Sequence, residues 1–271
     1  MLGPLIRAEV GDTIRVVFRN NCSFPASIHP HGFFYTRENE GAPYWDGHSV
    51  VHPGDSVPPG GTYAYTWKVP ERAGPGPNDP DSILWMYHSH VNEERDFNSG
   101  LVGPIIIARR GESKPDGTPK GVDREFVMWF AQVHEEDSWY VKHNLPTIET
   151  DHAVPTPLTP FSTTVTYPYF VTFSINGYSY SSMPLRYLTV RKGERVRWYI
   201  MGGLNDFDFH TTHWHGNTVL IGGMRTDVAS VAPMQMVVAG MIPDDVGVWL
   251  FHCHIAFHNE MGMNVRYVVK P

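Results

Sequence analysis

Cysteine is nearly absent. The 271 residues hold only Cys22 and Cys253, which excludes a disulfide framework as the source of stability. Basic residues are also few: 21 Lys and Arg stand against 28 Asp and Glu, a net charge of −7 with no long run of one sign. Nucleic acid and anionic membrane both require a basic face, so neither is expected as a partner. Long apolar runs are missing. The stretch from Leu101 to Ala108 is short and is interrupted by Gly103 and Pro104, far from the roughly 18 residues of a spanning helix, so no membrane span is expected. No segment keeps a 3.6-residue apolar period for three turns, so any helix is expected to be short. Met1-Leu2-Gly3-Pro4 lacks the pattern of a signal peptide, which fits either an intracellular chain or a trimmed export signal.

What the chain has is turn formers, aromatics and histidine. The 25 glycines and 23 prolines are well above the average share of about 12%, and aromatics reach 13%. Together they point to a packed, turn-rich, all-β chain. β-Branched and aromatic runs bounded by Gly, Pro, Asn and Asp recur at Thr13–Phe18, Thr62–Val69, Pro104–Ala108, Glu125–Phe130, Tyr187–Val190, Arg195–Ile200, Val248–His252 and Asn264–Val269, each read as a strand. The length accommodates two domains. A polar stretch from Arg110 to Gly121 reads as the connection, which gives domains over 1–112 and 123–271 with a linker over 113–122. A Pro- and Thr-rich segment, Asn144–Pro160, reads as a surface loop.

The halves repeat each other. The segment from Ala8 to Arg15 resembles that from Val190 to Arg197; His29-Pro30-His31-Gly32 matches His213-Trp214-His215-Gly216; Trp85-Met86-Tyr87-His88-Ser89-His90 matches Trp249-Leu250-Phe251-His252-Cys253-His254; Gly100-Leu101 matches Gly262-Met263. A fixed order of matched motifs implies duplication of one β-sandwich.

Eight of the 15 histidines fall in these motifs, and His210 and His258 flank them. On an extended chain, residues i and i+2 face one side and i+1 the other. His29/His31, His88/His90, His213/His215 and His252/His254 can each present two imidazoles to one surface. Eight such ligands exceed the four of a closed zinc site, so several metal ions are implied. Cys253 must point the opposite way, where His210, His258 and Met263 stand at the spacings of a His-Cys-His site with a weak axial thioether, the ligand set of blue copper. In the first half Ala26, Ser89, Glu94 and Leu101 occupy the equivalent positions, so that half carries no such site. His48, His52, His134, His143 and His152 read as exposed or hydrogen-bonded. Cys22 reads as a small buried thiol, and Met224, Met234, Met236, Met241 and Met261 as packing. Asp206, Asp208 and Glu260 read as solvated surface or, beside the blue site, as carboxylates for a cationic or phenolic substrate.

This constellation resembles the multicopper oxidase family over nearly the whole chain, most nearly its ceruloplasmin-type domains, and the size matches the two-domain or small laccases. The resemblance implies two cupredoxin-like Greek-key β-sandwiches and four coppers per chain. His210, Cys253, His258 and Met263 would hold type 1 copper; His29 and His213 type 2; His31, His88, His90, His215, His252 and His254 the type 3 pair. Cys253, His252 and His254 would carry electrons to the trinuclear cluster, where O₂ is reduced to water, and Asp81 would be the proton-delivering acid. By analogy with the ceruloplasmin ring, the second domain of one chain would meet the first domain of the next in a homotrimer. A periplasmic or extracellular location is favoured over the cytoplasm.

The leading expectation is a laccase-like oxidase of phenols and aromatic amines, with oxidation of a metal ion (ferrous or cuprous) as the alternative. Phe257, where ferroxidase centres carry an acid, argues against the alternative; Asn259 stands where some bacterial relatives carry a proton-relay Glu. Copper nitrite reductase would need a blue site in the first half, which Ser89 and Leu101 oppose. A purely structural role is opposed by the ten intact histidines.

Overall fold

A computed structural model describes residues 2–45, 47, 52–148, 171–204 and 208–271. The first half contains β1 (Ile6–Glu9), β2 (Thr13–Arg19), β3 (His29–Pro30), β4 (Thr62–Lys68), β5 (Ser82–His88), a short helix α1 (Glu93–Asn98) and β6 (Val102–Ala108). The second contains β7 (Arg124–His134), α2 (Val141–Ile148), β8 (Val171–Ile175), β9 (Thr189–Arg191), β10 (Val196–Gly202), β11 (His210–Trp214), β12 (Val219–Ile221), β13 (Met224–Thr226), β14 (Val228–Val231), β15 (Met236–Met241), β16 (Gly247–Cys253), α3 (Ala256–Glu260) and β17 (Asn264–Lys270). The molecule is all-β, and the three α-helices among the described residues are short.

The strands assemble as a sandwich in each half. In the first, the sheet β1-β6-β5-β3 faces the pair β2-β4 over a core that includes Ile14, Phe33, Tyr65, Trp67, Ile105 and Ile107. In the second, the sheet β13-β12-β15-β10-β7-β8 faces β14-β11-β16-β17-β9 over a larger core with Phe130, Trp198, Trp214, Phe251 and Tyr267.

A period of two explains how the sandwiches join. On β5, Ile83, Trp85 and Tyr87 point into the first core, while Leu84 and Met86 point outward. On β7 and β10, Phe130 and Trp198 point into the second core, while Trp129, Ala131, Tyr199 and Met201 point outward. These outward sets pack on each other as a third core. The outer face of β5 is therefore buried, and β5 and β6 read as nearly continuous apolar runs because both their faces are covered. At the rim, the Ser82 and Tyr199 hydroxyls lie 2.7 Å apart, Tyr199 donates to Glu125 at 3.1 Å, and Arg7 holds Glu125 at 2.8 Å.

Two readings of the sequence need correction. Tyr187 and Leu188 lie in a 3-10 turn, Leu185–Leu188, that follows Pro184, and the strand begins only at Thr189. Thr189 Oγ1 donates to the Leu185 carbonyl at 2.8 Å and holds that turn closed. The Asn144–Pro160 segment begins as the end of α2, not as a loop; residues 149–160 lie outside the described residues. The connecting segment folds back on the first half, where the Gly111 N–H and the Ser113 hydroxyl both reach the Glu9 carboxylate.

Candidate metal centres

Alternation along β16 sorts its last residues. Phe251 and Cys253 enter the second core, and His252 lies on the outer face. Inside, Cys253 Sγ stands 3.5 Å from His258 Nδ1 and 3.9 Å from His210 Nδ1, and the Thr211 N–H points at it from 3.5 Å. All three side chains are buried and can share one ion. Met263 is fully buried in the same core, and its carbonyl accepts the Cys253 N–H at 3.0 Å. Burial pushes the Cys253 thiol up and His210 down to about 3. Helix α3 delivers His258 five residues after the cysteine and turns its Nε2 outward, where Asp208 Oδ2 lies at 2.8 Å and the Gln132 amide at 2.9 Å.

Outside, β11 and β16 pair His213 with His252. The rings of His213, His215, His252 and His254 touch, with centroids 4.7 to 5.5 Å apart. The first half repeats this: β3 pairs His29 with His88, and the rings of His29, His31, His88 and His90 lie 5.2 to 5.5 Å apart. Second partners fix the tautomers in matching pairs. His29 Nδ1 meets the Glu40 carbonyl at 2.8 Å and His213 Nδ1 the Asp227 carbonyl at 2.9 Å; His88 Nδ1 meets the Ser89 carbonyl at 3.0 Å and His252 Nδ1 the Cys253 carbonyl at 2.8 Å. A carbonyl only accepts, so each of these Nδ1 atoms carries the proton and each Nε2 is left as an acceptor. Those Nε2 atoms converge: His31 and His88 approach to 3.1 Å, as do His215 and His252. Burial holds His88 at about 3 and His31 and His252 at about 4, so they stay neutral.

The glycine that ends each His-x-His motif has a steric reason. Gly32 (φ +86°) and Gly216 (φ +71°) adopt the left-handed conformation, and a Cβ on either would lie 2.4 Å from the indole of Trp85 or Trp249. The motif tryptophan packs onto the motif glycine in both halves.

The two histidine sets are not brought together within one chain; among the described residues no ring of one touches a ring of the other. The reason is architectural. The first half packs against the six-stranded sheet, whereas His213, His215 and His252 lie on the outer face of the five-stranded sheet. The thickness of the second sandwich separates them, with sheets about 10 Å apart.

Asp81 does not stand where a proton donor to the cluster is needed. It precedes β5, whose far end carries His88, and seven extended residues span about 23 Å. Its carboxylate instead pairs with Arg197 at 2.9 Å. The sequence reading missed four carboxylates. Glu93 places its oxygens 3.9 and 3.7 Å from His88 and His90 Nε2. Asp96 is fully buried and partners Ser89, the residue that matches Cys253: it accepts from Ser89 Oγ at 2.6 Å, the Val91 and Asn92 N–H groups and the Trp139 indole. Glu136 forms a fourth group with His134 and Asp137. Only Ser89 in the cysteine position hinted at Asp96. His48, His152 and Asp206 lie outside the described residues.

Residues 1–112 and residues 149–271 each match the multicopper oxidase family. The chain belongs to that family. It is 39% identical over 272 residues to hephaestin of Rattus norvegicus and 38% identical over 274 residues to human ferroxidase HEPHL1, in each case over 99% of this chain and 23% of the relative. It thus spans about a quarter of the length of these curated relatives. Among solved structures, blue copper oxidase from Nitrosomonas europaea superposes with a TM-score of 0.67 at 21% identity, over 98% of this chain and 76% of that one; this likeness carries the cupredoxin-type fold. A multicopper oxidase is a copper-dependent oxidoreductase that uses O₂. The donor sets suit copper: one buried sulfur with two imidazoles, and two clusters of imidazoles in which His29, His88, His213 and His252 keep Nε2 as an acceptor.

Proposed function

We propose that the chain is a two-domain oxidase, divided at 1–112 and 123–271, that withdraws single electrons from a metal ion such as Fe(II) and delivers them to O₂. The side chains of Cys253, His210, His258 and Met263 would hold one copper. The eight outer histidines would hold three more: His29 and His213 one, and His31, His88, His90, His215, His252 and His254 a pair. Bound copper supplies reversible one-electron storage. The protein's part is to keep the Cys253 sulfur dry, to hold the buried His31, His88, His210 and His252 neutral, and to link the two centres through the backbone from Cys253 to His252 and His254. Four one-electron oxidations balance the reduction of one O₂, with four protons, to two waters.

The observation that carries the metal-ion reading is Asp208. Its half-exposed carboxylate touches the outward nitrogen of His258 and so offers a cation an anionic ligand at the electron-entry edge. The name of one relative, a ferroxidase at 38% identity, supports the same reading and displaces phenol oxidation from first place. Phenol oxidation remains as a second reading because Phe257, not an acid, precedes His258.

Because one chain holds two separated half-clusters, a second copy would complete each; three copies in a closed ring give a homotrimer. The test is turnover of ferrous iron against a dimethoxyphenol by the copper-loaded protein, with Asp208→Asn alongside. Preferential turnover of iron, with a raised KM for iron in the variant, is expected; preference for the phenol and indifference to Asp208 would favour the second reading. Cys253→Ser is expected to bleach the blue colour and stop oxygen uptake.

A further inference from the structure

We propose that the outer face of the six-stranded sheet carries a binding site for a small organic carboxylate with an apolar body, seated in a notch at Gly240 between Arg225 and Arg197. The strand register builds the notch. Arg225 on β13 stands opposite Leu220 on β12, Leu220 opposite Gly240 on β15, and Gly240 opposite Arg197 on β10. Directly paired residues share one face of a sheet, so a single row reads Arg, Leu, Gly, Arg across four strands. Trp198 and Ala239, the next residue on β10 and the preceding one on β15, point into the second core, which turns this row outward. Leu220 and Arg197 stand two strand spacings apart, about 10 Å, and Gly240 has no side chain to fill the interval.

Two observations set the notch apart from an ordinary surface groove. First, Gly240 has no local reason to be glycine. Its backbone is not left-handed, and a Cβ there would find no atom beyond its chain neighbours nearer than 4.0 Å. Glycine inside a strand weakens it, and one that neither conformation nor crowding requires fits a place where another molecule comes close. Second, the notch opens into a cavity of about 440 Å³, within the range of small-molecule sites, about 300–1,000 Å³. The segment that connects the halves lines it through Gly121 and Val122, and the exposed Leu220 and Ile242 give it an apolar wall.

The charge of the lining identifies the guest. Arg195, Arg197 and Arg225 border the cavity against one carboxylate, Asp244. Asp123 holds Arg195 at 2.8 and 3.1 Å, and Asp81 holds Arg197 at 2.9 Å, so both side chains are fixed before a guest arrives and lose little freedom on binding. Arg225 differs. Among the described residues its one hydrogen bond goes to the neutral Thr218 hydroxyl, at 2.8 Å. A guanidinium fork without an acid is matched by a carboxylate, which can take two of its N–H groups at once. The guest would set its carboxylate on Arg225 and lay its apolar body over Gly240, against Leu220.

Benzoate is the probe, with benzyl alcohol (the body without the charge) and acetate (the charge without the body) beside it. Calorimetric titration of the copper-loaded protein is expected to show one benzoate per chain, with both other compounds binding at least fivefold more weakly. Benzoate affinity is expected to fall at least fivefold in Arg225→Gln, which removes the charge, and in Gly240→Leu, which fills the notch, while circular dichroism shows both variants folded. Benzoate affinity equal to that of the wild type in either folded variant overturns the site. Benzyl alcohol that binds as tightly as benzoate overturns the carboxylate assignment. Benzoate that splits an assembly into single chains, read by sedimentation, would mean that the notch seats a second copy, and overturns the small-molecule assignment.

Discussion

At the scale of single residues, the chain differs most between its halves where Cys253 in one is matched by Ser89 in the other. The cysteine has imidazoles around it; the serine donates to Asp96, a carboxylate with no solvent exposure and donors on both oxygens. A buried charge held by hydrogen bonds is expensive to break, so Asp96→Ala is expected to lower stability by about 3 kcal/mol in urea unfolding of the copper-free protein. It should leave the absorption of the Cys253 centre in place once copper is added. Gly32→Ala is expected to displace the Trp85 indole and with it His31, giving protein that keeps its blue colour but loses oxygen uptake. The clustering of the outer histidines, the inward turn of the cysteine and the motif glycines were legible in the sequence because spacing on an extended chain fixes direction. Asp96 and Glu93 were not, because a carboxylate on a short helix reaches its partners through a turn whose geometry no periodicity reports.

At the scale of elements, most strands were readable from β-branched and aromatic runs, and the exceptions have local causes. Pro184 and the Thr189 hydroxyl close a turn over Tyr187 and Leu188, residues whose composition suits a strand equally well. The clearest legible feature was the strand pair β5 and β16, in which one register sends alternate residues to opposite duties. On β5 the outward residues first join the halves and then, at His88, enter the histidine set. Met86 is fully buried in that contact, and Met86→Ala is expected to cost about 2–5 kcal/mol, as large-to-small changes in packed cores do. Tyr199→Phe, which removes the link between Ser82 and Glu125, is expected to cost about 1 kcal/mol. Asp81 was misplaced because nearness in sequence to the His88 motif was taken for nearness in space; an extended strand makes the two opposites.

At the scale of the whole molecule, burial of neutral imidazoles couples stability to pH. Unfolded histidines take up protons near 6.5, whereas His31 and His252 do so only at about 4 and His88 and His210 at about 3. Between those values the unfolded chain binds more protons, so stability falls as pH falls. The copper-free protein is expected to be fully stable above about pH 6.5 and to lose melting temperature progressively towards pH 4 and below, which scanning calorimetry across that range would measure. Placement of the two half-clusters on opposite sides of the second sandwich has the larger consequence, because a lone chain cannot close the eight-histidine set. The most direct test mixes two inactive variants, His31→Ala and His254→Ala, in equal amounts during expression. If clusters form between chains, about a quarter of the interfaces join an intact first half to an intact second half, and oxygen uptake is expected to recover to about that fraction. No recovery above either variant alone, in mixed assemblies shown to contain both, would contradict completion of the site by a second copy.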